Sequence, residues 1–178
     1  MLRMLFSLCL GLALVLTPTY AQTPRAVGTT DRHDPFVTHA ESRYLKYLES
    51  VSRGDVIAYK AVLTRKANEA VLEQLKKIGK SESDFGAMLK RSADRQTDLS
   101  QFTFVRCDTK ARAARLFYQR EGVGPSGPTL EFAVFMIHWE DGAWRIGQIG
   151  HSSGKPTRAS GEKRTGDELL GDPHFALE

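Results

Sequence analysis

Cysteine is nearly absent from this sequence. Two occur in 178 residues, and Cys9 lies in an N-terminal apolar run that reads as a removable segment. Cys107 is then single, which excludes an internal disulfide, and its alternating apolar neighbours make it a small buried hydrophobe. Charge of one sign is also lacking. The balance of 25 basic and 21 acidic residues gives +4, and losing Arg3 lowers it by one. That excludes a nucleic-acid footprint. The histidines at 33, 39, 138, 151 and 174 have no ligand-like spacing with cysteine or carboxylates, so neither a metal nor a cofactor is expected. The glycine-rich run Glu121 to Pro128 is broken by proline and precedes no helix, so it is not a phosphate loop.

Long apolar runs are missing apart from Leu5 to Leu16. That run follows Arg3 and precedes the small residues of Thr19-Tyr20-Ala21. It is too short to span a bilayer comfortably, and the segment reads as a secretory signal peptide, residues 1–21, cleaved after Ala21. The mature chain is expected in the periplasm or secreted, with no stable membrane insertion. A membrane anchor is the other reading of the segment.

What the sequence does have is a strong hairpin between Thr129 and Ile149. Asp141-Gly142 sits between two apolar, β-branched and aromatic runs, the signature of a two-residue turn with positive φ at both positions. An unbroken register sets Trp139 opposite Trp144, Ile137 opposite Ile146 and Phe135 opposite Gln148. The other face carries Val134, Met136 and Ile149, with His138 beside Arg145. Both faces are largely apolar, so both are expected to be covered.

Upstream, residues 22–37 form a polar, flexible lead-in. Thr38 to Ser52 has a helical stripe of Ala40, Tyr44, Tyr47, Leu48 and Val51, with Thr38 and Glu41 in capping-box spacing. Asp55 caps a short helix, Val56 to Leu63, burying Ile57, Ala61 and Val62. Ala67 to Ile78 forms a third helix, and Ser81 to Asp84 caps a fourth. From Leu99 the period becomes two. Gln101 to Cys107 places Phe102 and Phe104 on one face and Val105 and Cys107 on the other, followed by a turn at Asp108-Thr109-Lys110. Arg112 to Arg120 is a second strand, and Glu121 to Pro128 a loop. Residues 152–178 read as a disordered tail, with Leu169, Leu170 and Phe175 either incidental or a docking segment.

Helices followed by antiparallel strands make the class α+β. The helix YLKYLESVSRGDVIAYKAVL with its Arg53-Gly54-Asp55, and the terminal Glu140-Asp141-Gly142-Ala143-Trp144-Arg145-Ile146, resemble the nuclear transport factor two-like superfamily over residues 38–151. The helical stretch 67–98 is then an insert. The resemblance implies a cone, with N-terminal helices packed in the concave face of a curved antiparallel sheet. It implies a pocket at the open end, for which Tyr44, Tyr118, Phe135, Trp144 and Gln148 are the candidates, holding a small apolar ligand. It also implies a homodimer that buries Val134, Met136 and Ile149 on the outer face.

Enzymes of this superfamily need a carboxylate base opposite a proton donor in an apolar pocket. Tyr44, Tyr47 and Tyr118 are available donors. The acids Asp55, Asp84, Asp108 and Asp141 fall in caps or turns, and Glu131, inside a strand, reads as a solvated edge residue. No catalytic residue is assigned. An anion site of His138, Arg145 and His151 would lie on the outer face by this register. The leading expectation is an exported, noncatalytic ligand-binding or accessory module of the periplasm. The alternatives are an isomerase- or dehydratase-like enzyme, and a protein-interaction module working through the outer sheet face.

Overall fold

The structure, a computed structural model, describes residues 28–125 and 127–156. The expected signal segment 1–21, the lead-in up to residue 27 and the tail from residue 157, with Leu169, Leu170 and Phe175, lie outside the described residues; residues 152–154, expected in that tail, are strand. No helix among the described residues is long and apolar enough to cross a membrane.

Among the described residues, four helices precede a four-stranded antiparallel meander of order β1-β2-β3-β4. Helix α1 spans Pro35–Arg53, α2 Val56–Val62, α3 Arg65–Lys77 and α4 Glu82–Ser92. Two 3₁₀ turns, Ala93–Arg95 and Leu99–Gln101, lead to β1 (Thr103–Lys110), β2 (Ala113–Gly124), β3 (Gly127–Glu140) and β4 (Ala143–Gly154). Helices α1 and α3 pack on the inner face of the curved sheet and α2 and α4 pack on α1, all sharing one core, giving the expected α+β cone.

Helix α1 begins earlier than the Thr38 spacing suggests. Asp34 caps it, its Oδ1 accepting from the Phe36 N–H at 2.8 Å, and Pro35 fits the first turn because it has no N–H to leave unpaired. The helix buries Val37, Ala40, Tyr44, Tyr47 and Val51 and ends on Gly54 at φ +66°. Gly54 is irreplaceable here for a second reason: a Cβ would stand 2.5 Å from the Gly86 carbonyl of α4. Helix α2 is capped by Asp55 as expected, but its buried face differs. Ile57 is exposed, and Tyr59 and Val62 face the core.

The tight turn is as the sequence implies. Asp141 and Gly142 have φ of +51° and +75°, and Trp139, His138 and Ile137 pair with Trp144, Arg145 and Ile146. The register then shifts by one. Met136 pairs with Gln148 and Phe135 with Ile149, leaving Gly147 unpaired as a bulge. Everything on β4 beyond Gly147 therefore points to the opposite side from the unbroken register.

A second bulge, between Phe104 and Arg106 on β1, does the same. It turns Cys107 inward, beside Phe104, in the main core. β1 also runs through Asp108, Thr109 and Lys110, with the turn at Ala111, whose φ is +48°. The Glu121 to Pro128 stretch is mostly strand: β2 and β3 stay paired up to Gly124 and Gly127.

Candidate functional site

The inner sheet face divides into two zones. In the first, Tyr44 from α1 and Tyr118 from β2 stack on Phe135 of β3, with ring centres 5.1 and 5.7 Å away. Phe104 meets Tyr118 edge-on at 5.4 Å. Tyr47, Tyr59 and Phe85 extend the aromatic chain through the helices. At the hairpin end Trp144 packs between Phe36 and Trp139. Tyr44, Tyr118, Phe135 and Trp144 retain no more than 1 % of their surface. Four of the five expected pocket residues thus lie inside the cone, but Tyr44, Tyr118 and Phe135 are packed on one another and Trp144 is packed against Phe36 and Trp139.

The fifth, Gln148, is corrected. The Gly147 bulge puts it opposite Met136, on the outer side of the sheet. The same shift corrects Ile149, which pairs with Phe135 and packs on the main core, not on the outer face. Val134 and Met136 do lie outside, with Phe117 and Phe132.

The polar ends of the buried tyrosines are satisfied. Tyr44 Oη donates to the Thr97 carbonyl at 2.8 Å, and burial pushes its pKa to about 12. Tyr118 Oη donates to Glu41 Oε1 at 3.0 Å, and Arg32 Nε donates to the same oxygen at 3.1 Å. Burial, and then the Glu41 carboxylate, raise the Tyr118 phenol well above its usual range. This is a carboxylate facing a tyrosine, and Glu41 was hidden in the sequence because its spacing from Thr38 reads as a helix cap. The phenol is enclosed by aromatic rings, and neither described pocket includes Tyr118 or Glu41.

The second zone begins one alternation further along each strand. Beyond Tyr118, Ala133 and Ile149, the inner positions become Arg120, Glu131 and His151. Arg120 donates to Glu131 from Nε at 2.9 Å and from Nη2 at 2.8 Å, and to Gln101 from Nη1. Its guanidinium lies 4.8 Å from the ring centre of Phe102. His151 Nε2 is 3.4 Å from Glu131 Oε2, and its ring meets Phe102 edge-on. Hydrogen bonds from Arg120 hold the Glu131 carboxyl below the usual range. Asp98 is likewise held low, chiefly by the Ser100 backbone N–H.

Gln101, Phe102, Arg120 and His151 border a pocket of about 270 Å³ at the cone mouth, lined also by Arg95, Gln96, Thr97 and Asp98 from the turn region after α4. A shallower depression on the helical side shares Gln96, Thr97 and Asp98. The sequence reading set His151 outside, which is the bulge again. Arg95, Phe102 and Arg120 are not among the expected site residues, although the switch from aromatic to charged at alternate positions of β2 and β3 marks where the interior ends. His138 remains outside, its ring over Gly147, and burial lowers its pKa. No group of three or more potential ligands for a metal occurs among the described residues.

No family model and no curated protein matches the chain. Solved structures similar to it include the following two. One is a candidate dehydratase from Streptomyces avermitilis, at 12% identity and a TM-score of 0.34, covering 65% of this chain and 93% of that one. The other is a protein of unknown function from Pseudomonas putida KT2440, at 12% identity and a TM-score of 0.35, covering 74% and 96%. Both are described as NTF2-like. The dehydratase description belongs to that neighbour, and the chemistry here is argued from this chain's own side chains.

Proposed function

We propose that this chain is an exported, noncatalytic binding module of NTF2-like type that takes a small anionic ligand at the mouth of its cone. The observation that carries this reading is the contrast between a closed aromatic interior and an open mouth bordered by Arg95, Arg120, His151 and the Phe102 ring. At about 270 Å³ the space lies just under the ~300–1,000 Å³ of drug-sized sites, so the ligand is smaller than those. Arg120 is held by Glu131 and Gln101, which fixes its guanidinium beforehand and lowers the ordering cost of binding. Arg95, exposed at the rim, supplies a second cation for a carboxylate or phosphate. Export rests on the Met1 to Ala21 segment and is checked by finding Gln22 as the mature N-terminus in mass spectrometry.

Proton affinities favour the noncatalytic part. A general acid or base works best with a pKa near the working pH. Glu131 and Asp98 are both shifted away from it, downward. Tyr118 is shifted upward and enclosed. A second reading, an isomerase- or dehydratase-like enzyme, draws on the His151–Glu131 contact, which has the form of a base with an orienting carboxylate.

Calorimetric titration of the mature chain with inorganic phosphate, succinate and benzoate tests both readings. At least one probe is expected to bind saturably, with Arg95→Ala weakening it tenfold or more and leaving thermal stability unchanged. No saturable binding by any of the three overturns the proposal. Slow chemical conversion of a bound carboxylate, followed by NMR and lost in His151→Gln, would transfer the site to the enzyme reading.

A further inference from the structure

The outer face of the sheet carries Phe117, Phe132, Val134 and Met136, with Val105 and Leu130 packed against them. All four helices lie on the other face, yet these four side chains keep only 1–4 % of their surface. Part of the cover is local. The guanidiniums of Arg106 and Arg115 stand 4.0 and 4.6 Å from the ring centre of Phe117, and both bond to Asp108. Beside Val134 on β4 stands Gly150, with no side chain to lean over it. Phe132 is flanked across the ladder by Gln119 and Ser152. Side chains standing side by side on a sheet leave their tips to solvent unless something lies above them.

We propose that the occupant of this face is the chain's own segment 167–178. The segment is GDELLGDPHFALE less its first glycine: it holds Asp167, Glu168, Asp172 and Glu178, no lysine or arginine, and the apolar Leu169, Leu170, Phe175 and Leu177. That composition complements an apolar cluster edged by Arg106, Arg115 and Lys110 of β1 and β2. The start point also fits. β4 ends at Gly154, paired with Leu130, so the chain leaves the sheet beside one end of the cluster. Residues 157 to 166 reach up to ~33 Å when extended, more than the ~19 Å width of four strands. A tethered segment acts at an effective concentration of roughly millimolar, which favours it over a second copy, the occupant that the apolar outer face first suggests. The inference is independent of the mouth pocket, which opens on the other face.

The test uses a fluorescent synthetic peptide of residues 167–178, added to the mature chain and to a chain ending at residue 166. The peptide is expected to bind the shorter chain and to bind the full chain at least tenfold more weakly, because its place is taken. Phe175→Ser in the peptide should weaken binding tenfold. Equal binding to both chains, or to neither, overturns the proposal. So does a shorter chain that dimerises and ignores the peptide, which would give the face to a second copy. Should the shorter chain not fold, the full chain carrying a nitroxide at Ala176→Cys decides. Cys107 is fully buried and does not compete for the label. The label is expected to broaden the Met136 methyl resonance and leave Met88, on the helical side, sharp; an unbroadened Met136 overturns the proposal.

Discussion

The two zones of the inner sheet face are built from the same strands and differ by one alternation. Tyr118 is followed by Arg120 on β2, and Phe135 and Ala133 by Glu131 on β3. On one side of that step the side chains are held by stacking and exclusion of water, which falls off only when contact is lost. On the other they are held by charge-assisted hydrogen bonds, which respond to pH and salt. A cone can thus be stable through its interior and adaptable at its mouth, because the two are held by forces with different sensitivities.

The largest effect should come from breaking the interior. Phe135 is the ring on which Tyr44 and Tyr118 both stack. Phe135→Ala removes both contacts and leaves a cavity that three secondary-structure elements would have to close. The expected loss is about 3–5 kcal/mol in denaturant unfolding. A loss below about 1 kcal/mol would mean that the interior is loosely packed, and the contrast with the mouth would then collapse.

The boundary between the zones depends on Gly147. A Cβ there would stand 2.5 Å from His138 Cδ2. The bulge therefore needs a residue without a side chain, and it is the bulge that brings His151 to the mouth and Ile149 to the core. Gly147→Ala is expected to cost about 1–3 kcal/mol through overpacking. Removing the obstructing ring as well, in His138→Ala/Gly147→Ala, should recover most of it. If the double variant is as unstable as the sum of the single ones, the ring is not what opposes the side chain, and the bulge has some other cause.

That glycine also explains how far the sequence could be read. The helix stripes, the cap at Asp55, the Asp141-Gly142 turn and the pairs down to Ile137–Ile146 follow from local rules of period and turn chemistry. The bulges do not. An isolated glycine in a strand hints at one, but β4 holds Gly147 and Gly150 a few residues apart, and only the first is skipped. The choice depends on His138 across the ladder, a tertiary fact. One missed residue then reversed Gln148, Ile149 and His151 together. The interior tyrosines, Phe135 and Trp144 were legible as inward-facing because they precede the bulge or lie on other strands. The mouth was not legible as a site, since Arg95 reaches it from an irregular crossing with no period to read and the period that placed Phe102 beside Phe104 does not say where the cone ends.

The smallest effect, and the one that isolates the mouth, is the titration of Glu131. Its folded pKa lies below the ordinary glutamate value, first because Arg120 bonds to the carboxylate. A depressed carboxyl pKa contributes stability that is present above the unfolded value, about 4.3, and lost as pH falls through the folded one. Glu131→Gln keeps the size and removes the charge. At pH 7 it should be less stable than the parent chain by about 1 kcal/mol, and the gap should close as pH drops below about 4. The Phe135→Ala loss should stay constant over the same range, since no ionisable group is removed. A Glu131→Gln gap that persists undiminished at pH 3 would show that Glu131 acts by packing, and that mouth and interior are held by the same kind of force after all.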